Sequence, residues 1–123
     1  MPTTLADVAA WAEALPDVTA GERSDGTASW AFVGGKKPKV LAWQRPFSKA
    51  DIKRFGDDYI PQGDILAVTV ADLDEKEVVL ESALPGVFTM QHFNGSAAVL
   101  IELRKARKRD VKRLIEDAWE SVG

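Results

Sequence analysis

The chain of 123 residues has no cysteine, one histidine and one tyrosine. Without cysteine there is no disulfide framework, no thiolate zinc or iron–sulfur site and no cysteine nucleophile, a composition that fits a reducing cytosol. A single imidazole excludes any site built from two histidines. Charge of one sign is also scarce. Sixteen basic residues against 19 acidic ones leave a net charge of −3, which gives no global attraction to nucleic acid or to an anionic membrane. Long apolar runs are missing too: the longest stretch free of Asp, Glu, Lys and Arg, Ser82 to Ile101, has the twenty residues of a membrane span but is broken by Pro85, Gly86, Gln91, Asn94 and Gly95. The opening Met1-Pro2-Thr3-Thr4-Leu5 lacks the basic and apolar regions of an export signal. The expectation is a cytoplasmic protein with no membrane contact.

What is present is enough for one self-sufficient domain. Apolar residues make up 46% of the chain and charged residues 28%, close to the average for globular proteins and far from disordered compositions. Thr4 can cap a first helix in which Leu5, Val8, Ala12 and Leu15 recur at helical spacing before Pro16. From Thr27 to Val33 the pattern alternates, with Trp30 and Phe32 on one face. Gly34-Gly35 predicts a tight reversal, and Lys39 to Arg45 runs back as the second strand of a hairpin. Ser48 and Asp51 stand at capping-box spacing for a short helix from Lys49 to Phe55, with Gly56 to end it. Asp64 to Ala71 is a β-branched apolar run suited to a central strand, and Asp72 can cap the helix that follows. A second apolar strand, Ala97 to Leu103, leads into the clearest helix, where Val111, Leu114, Ile115, Ala118 and Trp119 share one face. The pattern predicts a two-layer α+β sandwich, an antiparallel sheet backed by N- and C-terminal helices, with Val68, Val99, Leu103, Leu114, Ile115 and Trp119 in its core.

Charge is distributed unevenly. Arg104, Lys105, Arg107, Lys108, Arg109, Lys112 and Arg113 put seven cations into ten residues, against Asp110 alone. Several fall near the start of the last helix, where cations oppose the helix dipole at a cost of roughly 0.3–1 kcal/mol each unless an anion compensates. Such a segment suits a phosphate or a nucleic-acid backbone, and it equally suits a solvated basic face paired with acids elsewhere. Lys36, Lys37 and Lys39, beyond the Gly34-Gly35 turn, form a smaller cluster that can act as a wing against phosphates or protect a strand edge from aggregation. His92, in the turn Phe88 to Gly95, is the one residue of a type whose unperturbed pKa lies near neutral pH, and it serves either as a general base or to fix its own loop. No serine stands in a nucleophile elbow, and Asp57-Asp58 and Asp72 with Asp74 lack calcium-loop spacing, so no catalytic residue, metal or cofactor is expected. The four tryptophans fall mainly on apolar faces, as core anchors do.

Several segments in order resemble one family. They are Trp30-Ala31-Phe32-Val33-Gly34-Gly35-Lys36, Gly63-Asp64-Ile65-Leu66-Ala67-Val68, Phe88-Thr89 with His92-Phe93-Asn94-Gly95, the strand Ala98 to Leu103, and Leu114-Ile115-Glu116-Asp117-Ala118-Trp119. Over roughly Thr27 to Glu120 the chain resembles the MmcQ/YjbR-like family of small bacterial proteins. Gln91 and Ser96 depart from the family's pattern, which has a proline before the histidine and an aromatic after the glycine. The resemblance implies an antiparallel sheet backed by helices, similar to secretion chaperones in topology, and no enzymatic activity. It also implies DNA binding, because the family's hairpins look like a double wing. The expected partner is therefore DNA, held weakly and without sequence preference by the basic residues above. The alternative is a chaperone-like module that binds a protein partner or a second copy of itself through a sheet face or an edge strand.

Overall fold

A computed structural model of the chain describes residues 2–90, 93 and 95–122. Local sequence chemistry accounts for most of its elements. Thr4 caps helix α1 (Leu5–Glu13): its side chain accepts from the Asp7 N–H while the Asp7 carboxylate accepts from the Thr4 N–H, satisfying donors that a helix start leaves open. Ser48 and Asp51 form the same reciprocal box at α2 (Lys49–Phe55), and Asp72 caps α3 (Leu73–Glu81) through the Glu75 N–H. The final helix, α4 (Lys108–Val122), buries Val111, Leu114, Ile115 and Ala118 along one stripe.

Among the described residues six strands form one antiparallel-paired sheet in the order β1-β2-β3-β4-β6-β5. They are β1 (Val18–Glu22), β2 (Ala28–Phe32), β3 (Lys39–Gln44), β4 (Ile65–Thr69), β5 (Val87–Phe88) and β6 (Ala98–Glu102). Both β4 and β5 pair antiparallel with β6, so they run in the same direction with β6 between them, joined through α3. The α+β sandwich is as expected. Two strands, β1 and β5, have no counterpart among those expected from the sequence, which placed Phe88 in a turn. The connection from β2 to β3 also differs: it is not a tight Gly-Gly reversal but a six-residue loop over 33–38. Trp30 faces Ala42 while Ala31 faces Val40, so Leu41 bulges without a partner on β2, and both Leu41 and Ala42 reach the core.

Strand alternation divides the interior in two. Leu66, Val68, Val99 and Ile101 point to the face that α1 and α4 cover, and each is fully enclosed. Burial of each such side chain contributes about 1.5–3 kcal/mol. Ile65, Ala67 and Leu100 point the other way, against Met90, Phe93 and the rings of Phe47, Phe55 and Phe88. Five of the six expected core residues are buried. Trp119 is half-buried: it packs at the rim of the main cluster and its Nε1 donates to the Pro16 carbonyl at 2.9 Å. Among the tryptophans only Trp30 is buried.

Candidate functional site

The basic run begins in the turn between β6 and α4 and ends one helical turn into α4. Arg104, Lys105 and Arg107 lie before the helix, and only Lys108 and Arg109 stand in its first turn, together with Asp110. The Arg107 carbonyl takes the first helical N–H groups, from Asp110 and Val111. Six of the seven cations have an acidic partner. Arg107 Nε lies 2.6 Å from Asp110 and Arg109 3.9 Å from it; Lys108 reaches Asp7 at 3.5 Å and Arg113 reaches Asp117 at 3.0 Å. Lys112 is exposed and has no ion pair among the described residues. In most pairs the acid is the deeper partner: Asp110 is 13% exposed, against 46% for Arg107 and 75% for Arg109. Acids lie beneath, and the cationic heads stand out in water.

Glu102 anchors the near end of this surface. It is 3% exposed at the end of β6, where its Oε2 accepts from the Tyr59 hydroxyl at 2.5 Å, the Gln62 N–H at 2.9 Å and Arg104 Nε at 3.0 Å. Arg104 Nη2 also donates to the Tyr59 oxygen at 2.7 Å, which closes a triangle. Lys105 Nζ sits 4.0 Å from the other Glu102 oxygen and 3.8 Å from the centroid of the Tyr59 ring. Burial pushes the Glu102 carboxyl up, but the Gln62 N–H, the Tyr59 hydroxyl and the two cations outweigh it and hold its pKa below the ordinary value. The same contacts, with Tyr59 foremost and Glu102 second, raise the pKa of Arg104. Gly86 closes the network from β5's side: its φ is +79°, and a Cβ there would lie 2.7 Å from the Glu102 carbonyl.

Lys36, Lys37 and Lys39 are exposed in and after the 33–38 loop, beside Phe32 and Val122. Val122 is the last residue of α4, so the lysines flank the end of the helix opposite the arginine-rich turn. At a rise of about 1.5 Å per residue the two ends are roughly 20 Å apart. The structure does not join the two clusters into one patch.

His92 lies outside the described residues. Two further charges are buried: Lys76, which the sequence did not single out, and Asp51, expected only as a helix cap. Lys76 of α3, 4% exposed, donates to the carbonyls of Phe93 and of Ser96, the latter at 2.9 Å, and burial lowers its pKa. Asp51, 2% exposed, is bracketed by Arg45 and Arg54 at 3.1 Å each. Thr89 Oγ1 is buried without a partner among the described residues, at the wall of a cavity of about 460 Å³ that Phe55, Tyr59, Phe88 and Lys105 also line. Among the described residues no group of three or more acidic or imidazole side chains could hold a metal, and no helix is long and apolar enough to cross a membrane.

No family model matches the chain. No solved structure matches it either. Three bacterial proteins are similar in sequence, an uncharacterised protein of Mycobacterium bovis and two of Mycobacterium tuberculosis. Each is 42% identical over 85 residues, covering 66% of this chain and 64% of the relative. The match thus spans just under two thirds of those relatives' length.

Proposed function

We propose that the protein is a non-enzymatic binding module of the cytoplasm that holds a nucleic-acid backbone, weakly and without sequence preference, at the arginine-rich start of α4. The observation that carries this reading is the layering of charge: Glu102 and Asp110 beneath the run are 3% and 13% exposed, while Arg109 and Arg113 are 75% and 76% exposed. Arg109, Lys112 and Arg113 stand at i, i+3 and i+4, which puts them on one helix face. The resemblance to MmcQ/YjbR-like proteins supports the same reading, and the sequence carries no motif that reads base edges. The double-wing picture receives less support, because Lys36, Lys37 and Lys39 lie at the far end of α4. A second reading, a module that pairs with a protein through its sheet, is supported by β1, whose outer edge no other strand covers.

Titration of a labelled duplex at several salt concentrations tests the leading reading. About four phosphate contacts give a slope of log K against log salt near −3.6, at about −0.9 per contact. Arg109→Ala, Lys112→Ala and Arg113→Ala together should bring that slope to about −0.9. Lys36→Ala, Lys37→Ala and Lys39→Ala together should leave it nearly unchanged. Equal binding by the helix variant and the wild type, or no binding at low salt, would sink the proposal.

A further inference from the structure

The two edges of the sheet are built differently. At one edge β5 has only two residues, too short to template another strand. At the other, β1 runs for five residues in unbroken register with β2, with no bulge, proline or lysine, and four of the five are exposed. The usual devices that blunt an edge are missing from it, apart from Glu22.

The phase of the β1–β2 ladder fixes which groups face outward. Arg23 N–H donates to the Thr27 carbonyl and Val33 N–H to the Asp17 carbonyl, so odd-numbered residues of β1 bond to β2. Even-numbered residues therefore turn their N–H and C=O groups away from the sheet. Of these, Val18 N–H is held loosely by the Leu15 carbonyl at 3.4 Å, and the Ala20 carbonyl receives only a 3.5 Å contact from the Thr19 hydroxyl. The N–H groups of Ala20 and Glu22 have no partner among the described residues.

This edge is complementary to itself. Set two copies antiparallel with Ala20 opposite Ala20: Val18 then faces Glu22, and every facing pair of even residues is a hydrogen-bonding pair. The Ala20 N–H groups bond reciprocally to the Ala20 carbonyls, and each Glu22 N–H bonds the Val18 carbonyl of the other copy. Just beyond the strand's ends the same register sets Asp17, whose backbone turns left-handed at φ +61°, toward Arg23, whose guanidinium lies 5.7 Å from the Trp43 ring centroid, so opposite charges flank the pairing. Thr19 faces Gly21, so the small residues of the strand meet without collision. The two-fold axis of such a pairing is normal to the sheet, which keeps both copies of α1 on one face. There α1 exposes Ala6 and Ala10, and its C-cap Ala14 is exposed as well, short side chains that leave room for a second helix.

We infer that β1 is a homodimerisation edge, through which two copies form one continuous sheet. The inference does not depend on nucleic-acid binding. Sedimentation velocity from low to high micromolar concentration should show the weight-average mass rising two-fold. Ala20→Pro removes the central outward donor and none of the bonds to β2, a change edge strands tolerate, and should hold the folded protein at the mass of one chain. Arg23→Glu, which sets acid against Asp17, should weaken association by about tenfold with the ladder intact. Amide exchange in the dimer should slow at Ala20 and Glu22 relative to dilute protein. A monomer at every concentration would overturn the inference, as would a dimer indifferent to both substitutions.

Discussion

Glu102 is the residue on which the site's geometry depends. It is a charge inside an otherwise apolar strand, satisfied by three donors on one oxygen, so its ionised form belongs to the folded state. Its pKa is lowered by folding. The stability it supplies is therefore fully present above the ordinary value of 4.5 and is lost as pH falls through the lowered one. Glu102→Gln keeps the shape and removes the charge. In urea denaturation at a series of pH values the variant should be less stable at neutral pH, and the gap should close in acid, where protonated Glu102 resembles the amide. A gap that widens below that pH would contradict the assigned network. Lys76 acts in a comparable way, because its ammonium supplies hydrogen bonds to the carbonyls of Phe93 and Ser96.

At the scale of elements, α4 carries its charges against its own dipole. Lys108 and Arg109 stand at the positive end, and the last turn has no basic residue while Glu116, Asp117 and Glu120 occupy the second half. The Arg113–Asp117 pair also has the less favourable order, cation before acid. The helix is held by its apolar stripe, not by its surface. Trp119 closes that stripe from the rim, donating to Pro16, so Trp119→Ala should cost about 2 kcal/mol, less than the roughly 3–5 kcal/mol of an enclosed tryptophan. Thermal denaturation checks this; an unchanged melting temperature would mean that the rim contact contributes nothing. α4 was legible because Leu114, Ile115, Ala118 and Trp119 recur with a single period. The caps at Thr4, Ser48 and Asp72 were legible because a cap is decided within three residues of its own chain. β1 was not: Val-Thr-Ala-Gly-Glu has few β-branched residues and includes a glycine, and it is a strand only because β2 offers it a ladder.

At the scale of the molecule, sequence order gave the cations but not their company. The run from Arg104 to Arg113 was visible as composition. That Asp7, a hundred residues away, pairs with Lys108 follows only from α1 packing against α4. The distance between the arginine-rich turn and the lysines of the 33–38 loop is likewise a property of the folded helix, which separates segments that charge counting alone would pool. Glu102 and Lys76 left fainter signals, as charges on otherwise apolar faces. The fold thus offers a cationic surface at one end of α4, held over the buried Glu102 and the partly buried Asp110, and it is this surface that we propose meets nucleic acid. The most direct test is to map amide chemical-shift changes as a short duplex is added at low salt. Shifts concentrated at Arg104 to Arg113, and absent from Lys36 to Lys39, are the predicted result. Shifts confined to the lysine loop, or none at all, would contradict the account.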